Sequence, residues 1–250
     1  MATKRTALIT GGAGCLGRAI ARALLDAGHD VIVTCHSSEA ATREWLDEEA
    51  AAGRRYDMAK VDVADYDSCQ ALARRLADEG RQIDILVNNA GIGQSGTALD
   101  MELAAMDELF ATNLRAPFIV ATEVARHLIA AGRPGRIVNL LSGGALHYSS
   151  GMGAALYCSL KAAVIRMSEA LALEWANHGI NVNAIAPGLF ETEMTEEHLA
   201  RFREHMVERL SRKRAGLPEQ LDSTLLYLVS PASEFVTGIC QHVDDAQYPR

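Results

Sequence analysis

At 250 residues, with 49% hydrophobic and 22% charged side chains, the chain has the composition of one globular domain with a sizeable core rather than of a disordered or fibrous protein. Its net charge of −8, with Arg212-Lys213-Arg214 as the densest basic run, argues against a nucleic-acid or anionic-membrane binder, which needs clustered cations. Five scattered cysteines without metal or redox spacing, no signal-peptide core after Met1 and no apolar run long enough to span a bilayer lead us to expect free thiols, a cytoplasmic setting and no catalytic metal.

The first strand is expected at Ala7-Leu8-Ile9-Thr10. A glycine-rich turn, Gly11 to Gly17, leads from it into Leu16, Ile20, Ala23 and Leu24, apolar at helical spacing and stopped by Gly28. Val31-Ile32-Val33 is the next strand. Strand, glycine turn, helix and strand form a βαβ unit suited to a dinucleotide, because the glycines admit a pyrophosphate to the N-terminus of the helix.

The alternation continues with a strand at Lys60-Val61-Asp62-Val63 and a helix through Leu72 and Leu76. Strands follow at Ile83 to Val87, Arg136 to Leu140 and Ile180 to Ile185. This predicts an α/β chain, a three-layer doubly wound parallel sheet of the Rossmann type forming one domain over residues 1–250, with ligands at the carboxyl ends of the strands. The unusual residues gather at those ends: the glycine turn, Asn88 to Gly91, Ser142, and Pro187-Gly188.

After the fifth strand comes Tyr157-Cys158-Ser159-Leu160-Lys161, opening an apolar-periodic run through Val164, Met167, Leu171 and Trp175. Residues four apart share a helix face, so the phenol and the ammonium can enter one pocket. A cation beside a phenol favours phenolate, which predicts a lowered Tyr157 pKa and a proton carrier for a carbonyl or alcohol oxygen.

Taken together, TGGAGCLG, DVAD at Asp62, NNAG at Asn88, Asn113 in ATNLRAPF, GRIVNLLS ending at Ser142, Tyr157-x-x-x-Lys161 and GINVNAIAPG followed by Thr192 resemble the short-chain dehydrogenase/reductase family over essentially the whole chain, in its ~250-residue, 3-oxoacyl reductase-like branch. The resemblance implies Tyr157 as general acid/base, Ser142 as a hydrogen-bond donor to the reacting oxygen, Lys161 as tuner of Tyr157 and ribose ligand, and Asn113 as holder of a proton-relay water. It implies cofactor contacts from Gly11, Gly14, Cys15, Leu16 and Gly17, from Asp62 and Val63, from Asn89, Ala90 and Gly91, and from Pro187, Gly188 and Thr192. The implied chemistry is hydride transfer between a nicotinamide and a ketone or secondary alcohol.

Three departures stand out against that family. Cys15 replaces the loop's middle glycine and shifts it to Gly14, giving the TGxxGxxG spacing of the nucleotide-sugar branch. The Ser142 to Tyr157 interval is about two residues longer than the family pattern, which should reshape the pocket wall. The family's VDGG is Val243-Asp244-Asp245-Ala246.

Where an NAD enzyme of this fold places a carboxylate after the second strand, this chain has Cys35, then His36 and Ser37. The missing carboxylate favours NADP over NAD, with His36 and Ser37 at the extra phosphate and Arg18 and Arg43 as further contributors. Substrate-pocket candidates are His147, Tyr148, Gln94, Ser95, Leu189, Phe190 and Met194, the last three preceding a helix around Leu199. The expected partners are a small carbonyl or alcohol substrate and further copies of the chain, as a tetramer or dimer built partly on the Tyr157 helix and a Leu221 to Val229 helix. No nucleic acid or membrane is expected. Two other readings stay open: a non-catalytic nucleotide-binding sensor or scaffold, and a nucleotide-sugar epimerase or dehydratase.

Overall fold

In the computed structural model, which describes residues 4–94, 96–148, 153–192, 194–195, 207–208 and 210–248, the short apolar runs become strands. They are β1 (Thr6–Thr10), β2 (Asp30–Cys35), β3 (Asp57–Lys60), β4 (Ile85–Asn88), β5 (Gly135–Leu140), β6 (Ile180–Pro187) and β7 (Cys240–Val243). The periodic runs become α1 (Cys15–Asp26), α2 (Glu39–Ala51), α3 (Tyr66–Asp78), α4 (Leu103–Phe110), α5 (Ala116–Ala130), α6 (Ala155–Glu174) and α7 (Asp222–Val229). All strands are parallel in one sheet, ordered β3-β2-β1-β4-β5-β6-β7.

Register decides which side chains share a face. Leu8 lies opposite Ile32 and Leu86, Leu86 opposite Ile137, and Ile137 opposite Val182. That row is buried against α3, α5 and α6 through Leu72, Val124, Leu128 and Leu171. Ala7, Ile9, Val33, Ile85, Val87 and Val138 point the other way and are buried with Ile20 and Leu24 of α1, Trp45 of α2 and Leu225 and Leu228 of α7. Strands buried on both faces carry near-continuous apolar runs, broken here by buried polar residues such as Asn139 and Asn183, which is why they are legible in the sequence.

The third strand is corrected by the structure. It was expected at Lys60 to Val63 but occupies Asp57–Lys60, where Met58 and Ala59 pair with Val33 and Thr34. Asp62 ends the extended path: its Oδ1 accepts from the Ala64 amide at 2.9 Å, turning the chain toward α3. The Val61-Asp62-Val63 alternation therefore belongs to a turn in which Val61 is buried and the half-exposed Asp62 lines the groove. The helix around Leu199, together with Ser95 and Gly151, lies outside the described residues.

The strand order reverses between β1 and β4, which opens a crevice at their carboxyl ends. Two buried chains of hydrogen bonds fix its walls. Thr10 Oγ1 accepts from the Asn89 and Ala90 amides at 3.0 and 3.1 Å, joining β1 to the turn after β4. Asn88 Nδ2 donates to Asn139 Oδ1 at 2.8 Å, and Asn139 Nδ2 to Ser168 Oγ at 2.9 Å, locking α6 onto β5.

Candidate active site

The crevice is a groove of ≈560 Å³. It is lined by Gly11, Gly14, Cys15, Leu16 and Gly17 of the glycine turn and by His36 and Ser37 after β2. Asp62, Val63, Asn89, Ala90, Gly91, Tyr157, Lys161 and Thr192 line it as well. Pro187 and Gly188, expected among the cofactor contacts, do not line it. They close β6 beneath the C-terminal segment, Gly188 donating to the Val243 carbonyl at 3.0 Å, and the chain enters the groove only at Thr192.

The glycine turn suits a phosphate. Gly14 caps α1 without a side-chain hydrogen bond, and the first turn carries no acidic residue to repel an anion at the helix N-terminus. A Cβ on Gly17 would stand 2.5 Å from the Gly11 carbonyl oxygen, which fixes glycine there. Cys15, the departure from the family loop, takes the first helical position, with its Sγ 3.5 Å from the Glu191 carbonyl oxygen, leaving the turn intact.

In the same groove, α6 brings Tyr157 and Lys161 one turn apart, facing β5. The helix has no side-chain cap of its own, but Gln94 Oε1, from the turn after β4, accepts from the Tyr157 amide at 3.1 Å. Ser142 follows β5, its Oγ accepting from the Gly144 amide at 3.1 Å. Lys161 is buried, donating to the Leu140 carbonyl at 3.1 Å, and its Nζ lies 5.8 Å from the centroid of the Tyr157 ring.

The electrostatics differ from the expected phenolate. Burial raises the Tyr157 pKa above the usual phenol value; a hydrogen bond from Ser142 opposes it, while Cys158 and Tyr248 add to it. Burial also lowers the Lys161 pKa to about 8. The expected lowering of Tyr157 by Lys161 is therefore corrected: desolvation dominates at both groups, and Lys161 is not among the groups that shift Tyr157. Tyr157 is a protonated phenol at neutral pH, suited to giving a proton to a ketone oxygen. The neighbouring Cys158 is buried, which pushes its thiol up and keeps it neutral.

Asn113 is fully buried in a π-turn, Ala111–Arg115, that joins α4 to α5. Its Nδ2 donates to the Ile92 carbonyl at 2.8 Å, and its Oδ1 accepts from the Ile92 amide at 3.0 Å. A Cβ placed on Gly91 would be 3.0 Å from Asn113 Oδ1 and 3.3 Å from Lys161 Nζ, so the two side chains converge on that glycine. The π-turn widens the helix at the point where this occurs, a distortion recurrent at functional sites.

The remaining candidates separate. Cys35 is buried at the end of β2, and His36 and Ser37 are the residues that reach the groove, His36 Nε2 lying 3.7 Å from Asp62 Oδ2. Arg18 is turned away, its Nε donating to the Ala13 carbonyl at 2.7 Å and its guanidinium 5.3 Å from the Trp45 ring, while Arg43 pairs with Glu39 at 2.9 Å. Neither lines the groove. Phe190 is a core residue, Met194 lines the groove, and Tyr148 is exposed. Ile92, Thr112, Leu140 and Glu108 also line it and carry no sequence signal beyond proximity to the motifs. A second cavity of ≈400 Å³ between α3 and α5, lined by residues such as Leu72 and Val124, shares Val63 with the groove and includes none of Asn113, Ser142, Tyr157 and Lys161.

Residues 5–201 match the family model described as short chain dehydrogenase. The chain is 35% identical over 243 residues to the 2-dehydro-3-deoxy-D-gluconate 5-dehydrogenase of Dickeya dadantii, covering 96% of this chain and 94% of that one. It is 33% identical over 242 residues to a 3-oxoacyl-[acyl-carrier-protein] reductase of Rickettsia conorii, covering 97% and 96%. Among solved structures, a gluconate 5-dehydrogenase of Burkholderia cenocepacia in complex with NADP and tartrate superposes with a TM-score of 0.90 at 32% identity, covering 98% of this chain and 96% of that one.

Proposed function

The chain belongs to the short chain dehydrogenase family, an NAD(P)-dependent oxidoreductase of ketones and secondary alcohols, and from that premise we propose that Tyr157, Ser142, Lys161 and Asn113 carry its reaction with NADP as the preferred cofactor. One observation supports this most directly: a single groove is lined both by Gly14 to Gly17 at the N-terminus of α1 and by Tyr157 and Lys161 of α6, and Ser142 follows the adjoining strand β5.

The residues present fit the dinucleotide. The first turn of α1 would hold the pyrophosphate, Asp62 and Val63 the adenine, Asn89 to Gly91 and Thr192 the nicotinamide half, and Lys161 its ribose. His36 and Ser37 would meet the additional phosphate of NADP, in a position that carries no carboxylate to repel it. When bound, the nicotinamide supplies or accepts the hydride. Ser142 donates a hydrogen bond to the substrate oxygen and Tyr157 gives it a proton; Lys161 stands behind the phenol. Replenishment of the proton runs past Gly91, where Lys161 and Asn113 converge.

The substrate is a small ketone or its alcohol, and the relatives point to keto sugar acids and 3-oxoacyl thioesters as the first classes to try. The protein acts in the cytoplasm as a homo-oligomer, tetramer or dimer, without nucleic-acid or membrane partners. Exposed Leu103, Phe110 and Phe118 on α4 and α5, and Tyr227 and Phe235 around α7, support self-association. Among the described residues no helix is long and apolar enough to cross a membrane.

The test is NADPH oxidation across keto sugar acids, 3-oxoacyl thioesters, steroid ketones and small diketones. Turnover of at least one class is expected. A protein that binds NADPH yet oxidises it with none contradicts the reading.

A further inference from the structure

Beyond β7 the chain turns back over the site. Asp245 and Ala246 adopt φ of 50° and 58°, the left-handed region that the glycines of the family's pattern would occupy without strain. The turn is held from outside. Arg214 Nε donates to Asp245 Oδ2 at 2.7 Å, Arg212 pairs with Asp245 at 3.3 Å, and Ser211 Oγ donates to the Ala246 carbonyl at 2.6 Å.

This strap directs the next two side chains across the carboxyl ends of β6 and β5. Gln247 Oε1 accepts from the Leu189 amide at 2.6 Å. The Tyr248 ring lies on Gly143, the residue after Ser142, and stacks on His147 with centroids 5.1 Å apart and planes 9° from parallel. Both landing points are glycine for want of room: a Cβ on Gly188 would stand 2.3 Å from Gln247 Oε1, and one on Gly143 2.3 Å from Tyr248 Cε2. Neither Tyr248 nor His147 lines the nicotinamide groove. The Tyr248 phenol is nevertheless close enough to act on the titration of Tyr157.

We propose that Tyr248, backed by His147, is a specificity-determining residue that closes the substrate site beside Ser142 and admits only ketones with a small substituent on that side. The proposal rests on the reading of Ser142 and Tyr157 as the site of carbonyl reduction. Tyr248 is held by contacts made at a distance, so Arg214, which pairs with Asp245, is a positioning residue for the same wall.

The experiment compares two β-keto esters, methyl acetoacetate and ethyl benzoylacetate, as substrates with NADPH. Tyr248→Ala should shift the ratio of kcat/KM toward the bulky ester by at least about tenfold, the scale of a pocket wall removed. Arg214→Gln should shift it the same way by a smaller factor, and the Kd for NADPH should be unchanged in both. An unchanged ratio in Tyr248→Ala overturns the proposal. Where wild-type protein reduces neither ester, which counts against the reductase reading alone, calorimetric Kd values of the two esters for the NADP⁺ complex give the same ratio. There, a shift in Tyr248→Ala supports the proposal, and no shift, or no binding by either protein, overturns it.

Discussion

Lys161 and Tyr157 share a helix face, yet the ammonium bonds to the Leu140 carbonyl at 3.1 Å and lies 5.8 Å from the centroid of the tyrosine ring. The lysine is thus a buried cation held by one backbone oxygen, and its pKa of about 8 records the cost of that burial.

That cost has a sign in stability. The folded-state pKa of about 8 lies below lysine's ordinary 10.5, so between those two values the unfolded chain binds more protons than the folded one. The lysine's contribution to stability therefore rises with pH across that window. Tm measured from pH 7.5 to 10.5 should give a wild-type curve that gains on a Lys161→Met curve as pH rises. Parallel curves would show that the lysine is not destabilised by its burial.

Gly91 tests the convergence of Asn113 and Lys161. Its φ is not in the left-handed region, so Gly91→Ala meets only the crowding at Asn113 Oδ1 and Lys161 Nζ. We expect kcat to fall about tenfold or more, since small displacements of positioned groups are costly, while Tm changes by only a few degrees. Unchanged kcat would remove this point from the relay.

The cofactor preference is tested at Ser37. A carboxylate there would face the groove where the additional phosphate of NADP is expected. Ser37→Asp should lower kcat/KM for NADPH relative to NADH by at least about tenfold, roughly 1.4 kcal/mol. Wild-type protein that prefers NADH would end the NADP assignment before the variant is made.

What the sequence made legible followed from strong local signals. Strands buried on both faces, as at Ile85 to Val87, carry apolar runs that alternation with helices turns into a parallel sheet. Motifs at strand ends identified the groove because the fold brings those ends together. Other features depend on contacts between distant segments. The Asp62 turn displaced β3 although Val61 and Val63 alternate like strand residues. Gln94, a pocket candidate in the sequence, holds the N-terminus of α6 by accepting from the Tyr157 amide, a role that spacing does not show. The π-turn at Asn113 has no compositional mark. Spacing placed Tyr157 and Lys161 on one face correctly, but the sign of the Tyr157 shift depended on burial, which spacing does not contain. Tyr248 reaches Gly143 across more than a hundred residues of sequence, and only the overcrowded glycine betrays it.

The central claim is that Tyr157 supplies the proton for carbonyl reduction in a groove that binds the cofactor without it. The direct measurement is turnover of the best ketone from the screen by Tyr157→Phe, together with the Kd for NADPH. The account predicts a loss of kcat of about 10² to 10⁴-fold with Kd changed less than about threefold. Turnover at the wild-type rate would contradict it.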